Sequence, residues 1–256
     1  MTNAPAAARA LEVLGLLSRH TEPLPAAAIA RQLGLARSST YHLLAVLQEH
    51  GFVVHLPEER RYGLGVAAFE LGSAYSRQAP LQRLARPILT RLVDETRHNA
   101  HFAVLHGSDV LYLIEERAPR RPSLVSDVGV RLPAQLTASG LAMLAGLPAA
   151  QVRALYPSRD AFVQRQGCGP TSLAQLRSLL SGVRARGYAV EEGTVTPDFS
   201  SVAAAVLDHR GHPVAAFALT FEGAGVVAAE RLRLATAVSA SADALSGRLG
   251  RGRAPG

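Results

Sequence analysis

Apolar residues recur at helical spacing through the first fifty positions of the chain. Leu11, Leu14 and Leu17 stand three apart between Ala7 and His20, with polar Arg9 and Glu12 beside them. This predicts an amphipathic helix that faces inward through those leucines. Thr21, Glu22 and Pro23 break it. Pro25 suits the first turn of a second, short helix whose inner side is Ile29, Ala30 and Leu33. Gly34 ends that helix, where positive φ is wanted, and Leu35 follows as a plug. A third helix is predicted from about Ala36 to His50. At about 100° per residue, Thr40, Leu43, Leu44 and Leu47 form its buried stripe. Ser38, Tyr41, His42 and Ala45 share the opposite side, with Arg37 and Ser39 on its N-terminal flanks.

After Gly51 the pattern shifts to β-rich residues. Phe52 to Leu56 reads as one strand, Pro57 to Arg60 as a turn, and Arg61 to Leu64 as the returning strand. A short helix, a glycine-bearing turn, a second helix and then a hairpin is a winged helix-turn-helix. The outer face of the third helix offers hydroxyls, an imidazole, a phenol and a guanidinium, groups suited to a major groove. Arg37, Ser38, Ser39, Tyr41 and His42 are therefore candidate DNA contacts. Arg60 and Arg61, read at the wing tip, are candidates for phosphate or the minor groove. The alternative is an ordinary solvated helix face and turn, with Glu58 and Glu59 offsetting the wing charge.

Val66 to Arg77 reads as a helix carrying Phe69, Leu71 and Tyr75, interrupted at Gln78-Ala79-Pro80. This gives a division into residues 1–65, a linker helix over 66–80, a second domain over 81–250 and a disordered tail over 251–256. The second domain opens on an amphipathic helix from Leu81 to His98, through Leu84, Ile88, Leu92 and Val93. Two strand-turn-strand units follow. Phe102–Leu105 passes through His106-Gly107-Ser108-Asp109 into Val110–Ile114, and Val202–Leu207 passes through Asp208–His212 into Pro213–Phe221. Helices are expected at Ser139–Ala145, Ala149–Leu155, Ser172–Arg186 and about Val226–Leu249. Strands grouped with helices on one side predict an α+β domain with an antiparallel sheet.

Composition narrows the class. A 48% apolar share over 256 residues supports packed cores, and no apolar run approaches the ~20 residues of a membrane span. A chain without a signal-like start is expected to be cytoplasmic. The single cysteine, Cys168, excludes an internal disulfide and a cysteine-built zinc site. The net charge is +7, and all the basic residues are arginine. Yet Met1 to Arg77 carries 7 Arg against 6 acidic residues, so bulk charge does not locate the DNA face. Local placement must do so.

Taken in order, Arg9-Ala10-Leu11-Glu12-Val13-Leu14, Ile29–Leu35, Ser38–Leu44 and Tyr62-Gly63-Leu64-Gly65 closely resemble the IclR family of bacterial transcriptional regulators. The family commonly has arginine where this chain has His42. Val130-Arg131-Leu132-Pro133, Thr137–Leu144, Gly187-Tyr188 and Val202–Val206 resemble the family's GAF-like effector-binding domain, so the likeness runs over roughly residues 7–248. The resemblance implies a pocket with Leu132, Ala138 and Gly140 on one wall and Ser201, Ala218 and Thr220 on the other. The N–H groups at Gly140 would be available to a carboxylate. Asp198, where the family often has glycine, joins the candidates, with a turn role as its alternative. Ser201 stands where a cysteine is common, and Leu141 where a lysine is common. The resemblance also implies a homo-oligomer, dimer or dimer of dimers, on double-stranded operator DNA, answering to a small-molecule effector such as an organic or aromatic acid.

Two other classes stand beside this one: a DNA-tethered enzyme, and a structural DNA-binding protein without a pocket. No Gly-x-Ser-x-Gly elbow, phosphate loop, dinucleotide turn or His-Glu-x-x-His helix is present. Neither a cofactor nor a metal is expected. Asp208, His209 and His212 fall in a hairpin turn, where a solvated role is the simpler one. Glu115-Glu116 and Glu191-Glu192 are adjacent strand residues that face opposite sides, and cannot pair on one substrate. His101 and His106 read as structural or exposed.

Overall fold

In a computed structural model, which describes residues 4–78, 80–121, 126–165, 167–223 and 226–250, the chain divides into two compact units, Met1–Pro80 and Leu81–Gly256. The expected tail over 251–256 lies outside the described residues.

The first unit comprises α1 (Pro5–Leu17), β1 (Leu24–Pro25), α2 (Ala26–Leu33), α3 (Arg37–Glu49), β2 (Val53–Leu56), β3 (Arg61–Leu64) and α4 (Val66–Gln78). Its core gathers Val13, Leu16, Leu17, Ile29, Leu44, Leu47 and Val53. The inner face of α1 is thus Val13-Leu16-Leu17, and Leu11 is 68% exposed. Steps of three at about 100° drift by about 60° each, so Leu11 and Leu17 cannot share one face; a 3,4 alternation can. Pro25 does not open α2 but precedes it in extended conformation. There it pairs with Arg61, so β1 makes a third strand in the order β1-β3-β2. Gly34 closes α2 at φ +63°, and the N–H of Leu35 reaches back to the Ala30 carbonyl. Thr40, buried in α3, satisfies its hydroxyl on the Ala36 carbonyl.

The second unit runs α5 (Pro80–Thr96), β4 (Asn99–His106), β5 (Asp109–Glu116), β6 (Arg131–Pro133), α6 (Ala138–Gly146), α7 (Ala149–Leu155), α8 (Leu173–Arg186), β7 (Ala189–Glu192), β8 (Phe199–Leu207), β9 (Pro213–Glu222) and α9 (Ala228–Arg248). The strands form one antiparallel sheet in the order β6-β5-β4-β9-β8-β7. Helices cover both faces, not one as expected from the sequence. Strand alternation explains this: along β9, Ala215, Phe217 and Leu219 face α5 and α9, whereas Ala216 and Ala218 face α6 and α8. Both sides of the central strands are apolar, and each requires cover. On the α6 side the sheet presents small residues, Ala103, Ala203, Ala216 and Ala218. These allow α6, buried from Ala138 to Ala145, to lie close to the strands.

Candidate nucleic-acid interface and effector recess

In the first unit, α3 carries Arg37, Ser38, Ser39, Tyr41 and His42 exposed on one end and side of the helix, opposite its buried Thr40-Leu44-Leu47 stripe. No side chain caps the start of α3, and its first turn holds no acidic residue. Its leading N–H groups therefore add a feature the sequence reading missed, a helix N-terminus suited to phosphate. Arg60 is exposed in the hairpin turn at φ +52°, a left-handed conformation uncommon for arginine. Arg61 differs. It lies on β3 between Pro25 and Leu56, not at the tip. Its guanidinium donates to the Pro23 carbonyl at 3.0 Å and lies 3.6 Å from Glu22. Beside it, His55 and Tyr62 stack across the ribbon with ring centroids 4.5 Å apart.

In the second unit, a narrow recess opens between the sheet and the start of α6. Its free volume is about 20 Å³, room for about one water as the side chains stand. Ala138, Ser201, Ala218 and Thr220, four of the residues that the family resemblance implied, are among those that line the recess. Ser201 and Thr220, cross-strand partners on β8 and β9, share a hydrogen bond of 2.9 Å. The small side chains at Ala218 and Ser201 leave the space; larger residues there would fill it.

Leu132, Gly140 and Asp198 do not line this recess. Leu132 is a core residue of β6. Gly140 packs against the Ala134 backbone, and its N–H is taken by the Thr137 hydroxyl at 2.9 Å. That bond caps α6 and removes the Gly140 N–H from any ligand. The N–H groups of Ala138 and Ser139 precede the first bonds of the helix and belong to residues that do line the recess. Asp198 is an exposed turn residue at φ +65°, its carbonyl accepting from Gly223.

Other lining residues were missed. Ser139 is buried, and its Oγ makes no hydrogen bond of good geometry, the Tyr112 hydroxyl being its polar neighbour. Tyr112 stands beside the Ser139 and Thr137 side chains, with its phenol driven up by burial. Glu191 accepts from the N–H groups of Thr194 and Val195. Burial pushes its carboxyl above the usual range, against the pull of those two donors. His101 lines the recess from β4, with Nε2 2.9 Å from Ser126 Oγ. Alternation along β4 and β7 could have aimed His101 and Glu191 at the same face as Ala103 and Ala189; the sequence does not say that this face holds a cavity. Glu192, on the other side of its strand, instead pairs with Arg231. Asp208 takes the N–H groups of Arg210 and His212 and so closes the β8–β9 turn. Among the described residues, no group of three or more His, Cys, Asp or Glu could hold a metal ion, and no helix is long and apolar enough to cross a membrane.

A winged helix-turn-helix followed along the chain by a sheet domain with a polar recess is an arrangement suited to a transcriptional regulator. Residues 6–57 match the IclR helix-turn-helix domain, and residues 73–247 match the bacterial transcriptional regulator IclR C-terminal domain. The chain belongs to the IclR family of transcriptional regulators. It is 32% identical over 247 residues to the glycerol operon regulatory protein of Streptomyces coelicolor, covering 96% of each chain. The crystal structure of an IclR transcriptional regulator from Alicyclobacillus acidocaldarius superposes with a TM-score of 0.85 at 25% identity, covering 96% of this chain and 99% of that one. An IclR homologue from Microbacterium hydrocarbonoxydans, solved with 4-hydroxybenzoate, has the same fold: TM-score 0.81, 21% identity, coverage 95% and 98%. The matched family is one of transcriptional regulators, so the tethered-enzyme class is set aside.

Proposed function

We propose that the chain binds operator DNA through Arg37, Ser38, Ser39, Tyr41 and His42 of α3 together with Arg60 at the wing, and that a small carboxylic acid in the α6 recess modulates that binding. Arg61 supports the wing through Pro23 and Glu22. One observation carries the effector half. The buried Ser139 Oγ and the leading N–H groups of α6 border a recess whose far wall carries the Ser201–Thr220 hydroxyls. A buried hydroxyl with only a poorly aligned neighbour in Tyr112 is under-satisfied, and a ligand oxygen would complete it. The helix terminus favours an anionic one. The ligand that 4-hydroxybenzoate represents in the Microbacterium homologue is of this class.

Self-association fits the same reading. Leu11 on α1 and Val66, Phe69 and Leu71 on α4 are exposed, Phe69 by 75%. Apolar surface of that kind is suited to a partner protomer, and a dimer would set two copies of α3 on a palindromic operator. The test is fluorescence anisotropy of the whole protein on its own upstream intergenic DNA, with and without pyruvate, glycolate and 4-hydroxybenzoate. Saturable, sequence-specific binding that one acid shifts is expected. Equal affinity for unrelated DNA overturns operator recognition, and indifference to every acid overturns the effector reading.

A further inference from the structure

One row of the sheet interrupts the small apolar surface on the α6 side. Glu191 on β7, Ser201 on β8 and Thr220 on β9 are successive cross-strand partners, so their side chains stand side by side on the face that holds the recess. Ser201 and Thr220 share the 2.9 Å hydrogen bond, and the Ser201 hydroxyl also stands beside the Glu191 carboxyl. One Glu191 oxygen, Oε1, is taken by the N–H groups of Thr194 and Val195. Burial raises this carboxyl, but those two donors favour its ionised form, and a carboxylate has no proton to give. The hydrogens of the row therefore run one way, Thr220 to Ser201 to Glu191, and what the row offers a ligand is lone pairs. Among the described residues that line the recess none is arginine or lysine, so an anion placed at this row meets Glu191 unbalanced. The α6 end differs: the leading N–H groups at Ala138 and Ser139 are donors. The recess thus has a donor end and an acceptor end.

We propose that the effector is a small hydroxy acid, its carboxylate at the head of α6 and its hydroxyl donating to the Glu191–Ser201–Thr220 row. This rests on the effector reading above and narrows it to a ligand class, with Glu191 as the residue that sets specificity. A ligand hydroxyl supplies the proton that the row lacks. A ketone or aldehyde oxygen brings only lone pairs and leaves acceptor facing acceptor. A second carboxylate adds like charge. An ammonium group would donate too, but it must first lose its water, at a cost that a neutral hydroxyl is spared. With room for about one water, the recess admits such an acid only as a wall yields. Val195 and Thr196 lie in the loop between β7 and β8, outside the strand ladder, and that loop is held by the bonds from Thr194 and Val195 to Glu191. The carboxylate that reads the hydroxyl is therefore also the one that holds the yielding wall.

Calorimetric titration of the full chain at pH 8 with matched ligands tests this: glycolate against acetate, lactate against pyruvate and alanine, and 4-hydroxybenzoate against benzoate. In at least one set the hydroxy acid is expected to bind about tenfold more tightly than its partners, and malonate is expected not to bind. Glu191→Gln gives the row a donor and removes its charge, while keeping an acceptor for the loop. It should abolish the hydroxyl preference and admit malonate, whereas a merely structural role would weaken every ligand alike. Should Glu191→Gln not fold, Ser201→Ala takes its place and should reduce the same preference. Hydroxy acids that bind no better than their partners overturn the proposal, as does a preference that the variant keeps. Tighter binding of alanine than of lactate assigns the row to an ammonium group and overturns it too. A wild type that binds none of these ligands fails at the earlier step and removes the effector reading with this one.

Discussion

Gly140 lies so close to Ala134 that a Cβ at position 140 would sit 2.1 Å from the Ala134 carbonyl oxygen. The obstacle is backbone and cannot swing aside. Gly140→Ala should therefore destabilise the second unit by at least the ~1–3 kcal/mol typical of overpacking. Thermal unfolding checks this. An unchanged Tm would mean that α6 can retreat from the turn that precedes it. Filling position 140 is accordingly no way to block the recess selectively.

The wing arginines should separate. Arg37→Ala and Arg60→Ala are expected to lower operator affinity and to reduce the salt slope by about one each. Arg61→Ala should instead loosen the ribbon by freeing the Pro23 carbonyl and Glu22, with a smaller effect on the slope. Anisotropy across a salt series reads all three. A full unit of slope lost in Arg61→Ala would return that side chain to the phosphate backbone.

The hydroxyl pair on the far wall gives a gentler test. Thr220→Val keeps the shape and deletes the partner of Ser201. A stability loss of about 1 kcal/mol is expected, with a larger loss of acid response than of DNA binding. Loss of both in parallel would assign the pair to structure alone.

Two carboxyls predict opposite pH dependence. Glu115 is held at about 2 in the fold, below its unfolded value of roughly 4.3. Its contribution is present above the unfolded value and is lost as pH falls from there towards 2. Glu115→Gln should lower Tm by a few degrees at pH 7, the gap narrowing below about pH 4 and closing only towards pH 2. Glu191 is raised by burial, so the sign reverses. Its stabilising protonated form is favoured at low pH and lost as pH rises through the folded value. Glu191→Gln keeps an acceptor for Thr194 and Val195 and should gain Tm against wild type at pH 8 but not at pH 4. The pH dependence of the two Tm differences is the measurement.

The contrast between Leu11 and Thr40 marks how far periodicity reaches. The α3 stripe, with Thr40, Leu44 and Leu47 inside and Tyr41 and His42 outside, was legible because both neighbours of the helix are local in sequence. On α1 the leucine spacing misled, since Val13 and Leu16 lie on the face that the folded unit covers. The two-residue strand β1 is too short to carry a pattern and exists only because β3 passes beside it. Helices on both sides of the sheet could have been read from the continuous apolar run in β9, where each face needs its own cover.

Sequence by itself determined the winged helix-turn-helix, the two pairs of long strands and the family, because local propensity, turn chemistry and motif order are properties of neighbours along the chain. The family resemblance added Ala138, Ser201, Ala218 and Thr220, which the fold brings to one recess. Only the tertiary structure decided which polar groups meet. It turned Gly140 into a packing contact, tied Arg61 to Pro23 and set His101 against Glu115. Those pairings join residues 6 to 38 positions apart, and through-space distance, on which burial and charge depend, is fixed by how the elements pack.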